Sequence, residues 1–157
     1  MVAATYLTIW VALALFVLGE SGRSFFTRRA RAVSAAGFVL ALVHTLLAFD
    51  VFHHWSHADA VRDTAQQTQE VFGLAVGAGV YVNYLFFAVW LLDLVFWRRA
   101  TSASALRWVV RAFYLVIIFN GAVVFAAGWR RALGAALIGG LMLAWIPGQS
   151  FARRVAQ

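Results

Sequence analysis

Residues 33–57 read VSAAGFVLALVHTLLAFDVFHHWSH. From Val33 to Phe52 the only ionisable side chains are His44 and Asp50. An apolar run of that length matches the roughly 20 helical residues needed to cross a hydrocarbon core about 30 Å thick. In lipid a lone segment can satisfy its backbone hydrogen bonds only as a helix, so this stretch predicts a transmembrane helix and, with it, an all-α fold. Its outer end runs straight into His53-His54-Trp55-Ser56-His57.

Four further runs flank it. The first spans Val2 to about Leu18 and is expected to break at Glu20-Ser21-Gly22. No basic residue precedes it, as a secretory signal would require, so it reads as a retained helix. The third spans about Phe72 to Phe96, the fourth about Ala112 to Gly128, and the fifth about Ala132 to Ile146, where Pro147-Gly148 should stop it. The expected fold is therefore a single-domain polytopic bundle over residues 1–157 with five transmembrane helices. The fifth run is short enough that four is the alternative count. Small residues, Gly73, Gly77, Ala78 and Gly79 on the third helix and Gly134, Gly139 and Gly140 on the fifth, mark expected close helix contacts.

Composition agrees. The chain is 64% hydrophobic and 12% charged, with a mean hydropathy of +0.82, which points to lipid as the solvent. All 13 basic residues are arginine and the net charge is +7. In a soluble chain this balance would suggest nucleic acid, but these arginines punctuate apolar runs, so no nucleic-acid partner is expected. The absence of lysine removes Schiff-base chemistry and a phosphate-gripping lysine. The absence of cysteine removes thiolate metal sites and thiol redox chemistry.

Arginine placement orients the bundle. With the N-terminus outside and the C-terminus in the cytoplasm, Arg23, Arg28, Arg29, Arg31, Arg98, Arg99, Arg107, Arg111, Arg153 and Arg154 fall inside, and only Arg62, Arg130 and Arg131 outside. That is the positive-inside pattern of a multi-pass protein of the bacterial inner membrane. Trp55, Trp97, Trp108, Trp129 and Trp145 fall near the expected interfaces.

All four histidines lie between His44 and His57. If the second helix continues through this stretch, Asp50, His53, His54 and His57 share about 100° of arc, because three- and four-residue spacings stack on one face. Imidazole and carboxylate suit copper, zinc or iron. One straight helix cannot aim all four groups at one ion, so Glu70, at the mouth of the third helix, is the expected extra ligand. Asp59 and Asp63 would point away on such a helix. The same residues equally suit a wet interface with no metal.

His44 falls near mid-membrane, where a polar group faces the bundle interior or a ligand. The expected partners are Asn83 or Asn120 at similar depths, with Tyr81, Tyr84 and Tyr114 able to join. Such a polar spine suits a quinone or a lipid head group, and heme or pigment ligation by His44 ranks lower. Glu20 with Arg23, and Asp93 with Arg98 and Arg99, read as interfacial charges neutralised by arginine. Ala58 to Glu70 reads as a polar helical cap or docking surface. No nucleophile–base arrangement or phosphate loop is present, so no catalytic residue and no catalytic activity of its own is expected.

Three functional readings follow. The leading one is an accessory or scaffold subunit of a larger inner-membrane complex handling electrons or metal, touching other membrane subunits or copies of itself. The second is a membrane metalloprotein binding through the Asp/His cluster. The third is a small-ligand or quinone-binding protein built around His44, Asn83 and Asn120.

Overall fold

A computed structural model describes residues 1–23, 27–97 and 105–146. Every regular element among them is helical. α1 (Val2–Gly22) and α2 (Thr27–His53) form a hairpin, α3 (His57–Phe72) is a short polar helix, and α4 (Gly79–Val95) follows. Next, α5 (Ala105–Phe119) runs into a π-helical turn (Asn120–Val124), and α6 (Trp129–Trp145) ends the described chain. Among the described residues, three spans are long and apolar enough to cross a membrane: α1, α2, and α5 with its π turn over Ala105–Val124. The apolar α4 has 17 residues. Leu7, Leu46, Leu85, Leu92, Val109 and Leu143 all point outward, the apolar belt of a membrane-associated bundle.

Close backbone approach holds the α1–α2 hairpin together. A Cβ on Gly37 would meet the Ala12 carbonyl oxygen at 2.9 Å, and one on Gly19 would meet the Ser34 Cβ at 2.8 Å. Ala12, Ala30, Ser34 and Ala41 are buried along the same seam. Apolar helices in lipid have no water to escape, so dispersion between closely packed backbones drives the contact. α6 approaches the π turn in the same way, since a Cβ on Gly134 would collide with the Ala122 carbonyl. Gly139 has open space around the place of a Cβ, and Gly140 has only Val17 at 3.6 Å.

Several boundaries differ from expectation for identifiable reasons. α1 continues through Glu20 to Gly22, and α2 begins at Thr27 rather than Val33, so Arg28, Arg29 and Arg31 are helical. The expected third span divides: Phe72 ends α3, Gly73 caps it in the left-handed conformation at φ 73°, and α4 starts only at Gly79. The glycines between them do not line a transmembrane face. A Cβ on Gly77 would meet Val61 and one on Gly79 would meet Thr64, so they let this loop lie flat on α3. The fourth run is helical from Ala105 and ends at Val124. Pro147, Gly148, Arg98, Arg99, Arg153 and Arg154 lie outside the described residues.

The largest correction is at the end of α2, which does not continue through His57. His54 and Trp55 take positive φ, 47° and 60°, a conformation that costs an L-residue about 1–2 kcal/mol. The turn persists because its groups are satisfied: Trp55 N–H donates to the Phe49 carbonyl at 2.9 Å, and its indole donates to Asp50 at 3.0 Å. Ser56 then caps α3, its hydroxyl accepting from Asp59 N–H at 3.2 Å. Ser56 and Asp59 are the serine and acid of a capping box, a helix-start signal that the apolar pattern of α2 overshadows. The polar segment 58–70 is thus helical, as expected.

An aromatic layer closes the middle of the bundle. Phe16 packs edge-on to Trp90 and Tyr114, with ring centroids 4.9 and 5.0 Å apart, and Phe86 packs against both. Trp90 donates its indole N–H to Ser34 at 3.0 Å. On one side of this layer lies a cavity, and on the other a buried cluster of charges.

Candidate functional site

The cavity has a volume of about 530 Å³, within the range of small-ligand sites. Its floor includes Leu13, Phe86 and Ile118, its walls Trp10, Phe49, Phe87 and the π turn at Gly121 and Ala122, and its outer rim Ala60, Thr64 and Gln67 of α3 and Arg130 of α6. The break after His53 folds α3 back over α2 and α4, so the polar helix covers this cavity instead of extending α2. Arg130 lies over the Tyr6 ring, 4.6 Å from its centroid. A second cavity of about 390 Å³ adjoins at the rim through Tyr6, Phe52, His53 and Gln67, and adds Asp63, Gln66 and Glu70.

His44 lines the main cavity and is held by α1: Nδ1 lies 2.7 Å from the Thr5 carbonyl oxygen. A carbonyl oxygen only accepts, so Nδ1 carries the hydrogen and Nε2 is the ring nitrogen left over. The expected bond to Asn83 or Asn120 is not formed, because the α1–α2 contact brings a backbone carbonyl closer. Asn83 does line the cavity, from an exposed position on α4, and its amide makes no hydrogen bond to a described residue. Asn120 instead donates to the Val116 carbonyl at 2.8 Å on its own helix and does not line the cavity.

The remaining histidines are separated. His53 Nδ1 lies 2.9 Å from Asp63 Oδ2, so Asp63 points toward His53 and not away; only the turn at His54 and Trp55 makes that possible. Asp50 is taken by the Trp55 indole. His57 sits between Tyr81 and Tyr84, with ring nitrogens 3.3 and 3.2 Å from their hydroxyls. His54 is exposed, and Glu70 accepts from Gln66 at 3.1 Å. Among the described residues, no group of three or more His, Asp or Glu side chains stands together as a possible metal site. The geometry that motivated the metal reading, one continuous helical face, is absent.

At the end away from the cavity, the bundle buries a closed ring of alternating charge. Arg23 donates to Glu20 Oε1 at 2.6 Å and to both Asp93 oxygens at 2.8 and 2.9 Å. Arg107 donates to Asp93 Oδ1 and to Glu20 Oε2, both at 2.7 Å. The Trp145 indole adds a third donor to Glu20 at 2.9 Å. All four charged side chains are at most 6% exposed. Trp97 supplies its carbonyl to Arg23 at 3.3 Å and its ring beneath that guanidinium at 3.8 Å. Burial pulls the Arg23 pKa down, but the hydrogen bond to Asp93 and the charges of Glu20 and Asp93 outweigh it, leaving the group above the ordinary arginine value.

The Glu20–Arg23 pair is as the three-residue spacing suggests, whereas Asp93 reaches across to α1 and α5. Trp97 and Trp145 are buried against this ring, at 1% and 5% exposure. Arg107 reads as a loop charge in sequence because nothing local marks it as a partner of Glu20, 87 residues away. The ring joins α1, α4, α5 and α6 and pairs two carboxylates with two guanidinium groups, with Arg111 a third cation nearby, which suits a structural lock better than a reactive centre.

No protein-family model, curated protein or solved structure matches this chain.

Proposed function

We propose that this protein is a five-span integral membrane protein of the bacterial inner membrane that binds a lipid-soluble, ring-bearing small molecule of the quinone class in its outer cavity. The observation that carries the reading is the cavity itself: an aromatic-walled space within the bundle, on which His44 and the unpartnered Asn83 amide converge. Flat aromatic walls favour a planar ring by edge and face contacts, and the outward apolar belt gives such a molecule access from the lipid.

The five-span topology rests on α4 and α6 crossing beside the three longer spans. At 17 residues each they reach about 25 Å, a shortfall that bilayers accommodate by local thinning. The arginine distribution supports an outer N-terminus, and with it an outer position for α3 over the cavity. The accessory-subunit reading joins this one naturally, since a bundle with no apparent reactive centre would serve an electron-handling assembly by holding its lipid-soluble carrier.

The test is solvent extraction of protein purified gently from native membranes, followed by mass analysis. About one ring-bearing lipophilic compound per chain is expected. Its amount should fall several-fold in an Asn83→Leu variant and in an Ala48→Phe variant that fills the cavity. Extracts with only bulk phospholipid, unchanged by either substitution, would overturn the reading.

A further inference from the structure

Around His44, the cavity offers acceptors where a quinone would need donors. His44 has given its Nδ1–H to Thr5, and no carboxylate lines the main cavity to hold a second proton on the ring. A charged imidazole at that depth would be costly, so the ring is neutral and Nε2 presents a lone pair. Beside it, Thr45 spends its only hydroxyl hydrogen on the Ala41 carbonyl at 3.1 Å. Across the rim, Thr64 spends its own on the Ala60 carbonyl at 2.8 Å. Each of these groups can then only accept.

Resting on the cavity-binding reading, we infer that the site selects the reduced, hydroxyl-bearing form of its ligand, a quinol or phenol whose O–H donates to His44 Nε2, over the oxidised carbonyl form. Asn83, Gln67 and the Tyr6 and Tyr84 hydroxyls each donate and accept, so they serve either form equally, and His53 turns its Nδ1 to Asp63 at the rim. Arg130 and the Trp10 indole are donors that an oxygen of either form can take. Discrimination therefore falls on His44. A quinone carbonyl facing its lone pair would leave two acceptors opposed. A site built to hydrogen-bond an O–H rejects the analogue that lacks it far more strongly than a merely apolar site would.

The experiment is equilibrium dialysis of the full-length protein in detergent micelles against a decyl-tailed benzoquinone, its hydroquinone and the dimethyl ether of that hydroquinone, with empty micelles as the blank. Dithionite can hold the hydroquinone reduced, since the chain has no cysteine for it to affect. Wild-type protein should bind the hydroquinone on the order of tenfold more tightly than the quinone and the dimethyl ether. In His44→Leu, the three affinities should converge to within about threefold. The ether comparison needs no variant, so it decides even if His44→Leu fails to fold. Equal or tighter binding of quinone or ether by the wild type would overturn the inference while leaving the cavity reading intact. Binding of none of the three would overturn both.

Discussion

Asp93→Asn should unbalance the inner ring by one charge while keeping the side chain's shape. In the native ring two carboxylates face two guanidinium groups, and Asp93 accepts three N–H bonds, at 2.7, 2.8 and 2.9 Å. The substitution leaves one uncompensated positive charge among side chains at most 6% exposed. Breaking one partner of a buried ion pair costs about 3–5 kcal/mol, which corresponds to about two to three and a half decades in the folding equilibrium. The assay is reversible unfolding in mixed micelles of rising denaturing-detergent fraction, followed by far-ultraviolet circular dichroism. Adding Arg23→Met restores neutrality and should recover at least half of the loss, since charge-balanced replacement of a buried pair is often close to neutral. A loss below about 1 kcal/mol for Asp93→Asn would show the ring behaving like a solvated surface cluster. A double variant at the simple sum of the two single losses would likewise refute the coupling.

Three further outcomes follow from other parts of the fold. Trp145→Phe keeps the ring but removes the N–H given to Glu20, and should cost about 1.5–3 kcal/mol in the same titration. Gly37→Val should destabilise by about 1–3 kcal/mol or more, because α1 must move off the Ala12 carbonyl; a shift in the unfolding midpoint reads it. His54→Gly should stabilise by roughly 0.5–1 kcal/mol, as relief of the left-handed strain exceeds the added chain entropy of glycine, and the unfolding midpoint should rise accordingly.

How much of this was legible in the sequence depended on whether a signal was local. The apolar runs reported α1 and α2 because helix period and bilayer thickness act residue by residue. The polar stretch 58–70 likewise announced a helical cap. The end of α2 was misjudged because an apolar run followed by histidines gives no sign of a left-handed turn at two non-glycine residues; the Ser56 and Asp59 capping box was the available signal. His44 stood out in the sequence as a polar residue inside an apolar run, but its partner did not, since the Thr5 carbonyl carries no sequence mark. The charged ring was half legible. Glu20 and Arg23 are neighbours on one helix, whereas Arg107 and Asp93 join them only through tertiary packing, and positive-inside counting treats every inner arginine as solvated.

The most direct test of the account is where a ligand goes. A photoreactive azido-benzoquinone, irradiated with the protein in lipid nanodiscs and mapped by peptide mass spectrometry, should label the faces of α2, α4 and α5 that carry Ala48, Asn83 and Ile117. Excess unlabelled hydroquinone should protect those sites. Labelling spread over outward residues such as Leu46, Leu85 and Leu92, unprotected by competitor, would mean that the probe partitions into lipid around the bundle and that the cavity is not a binding site.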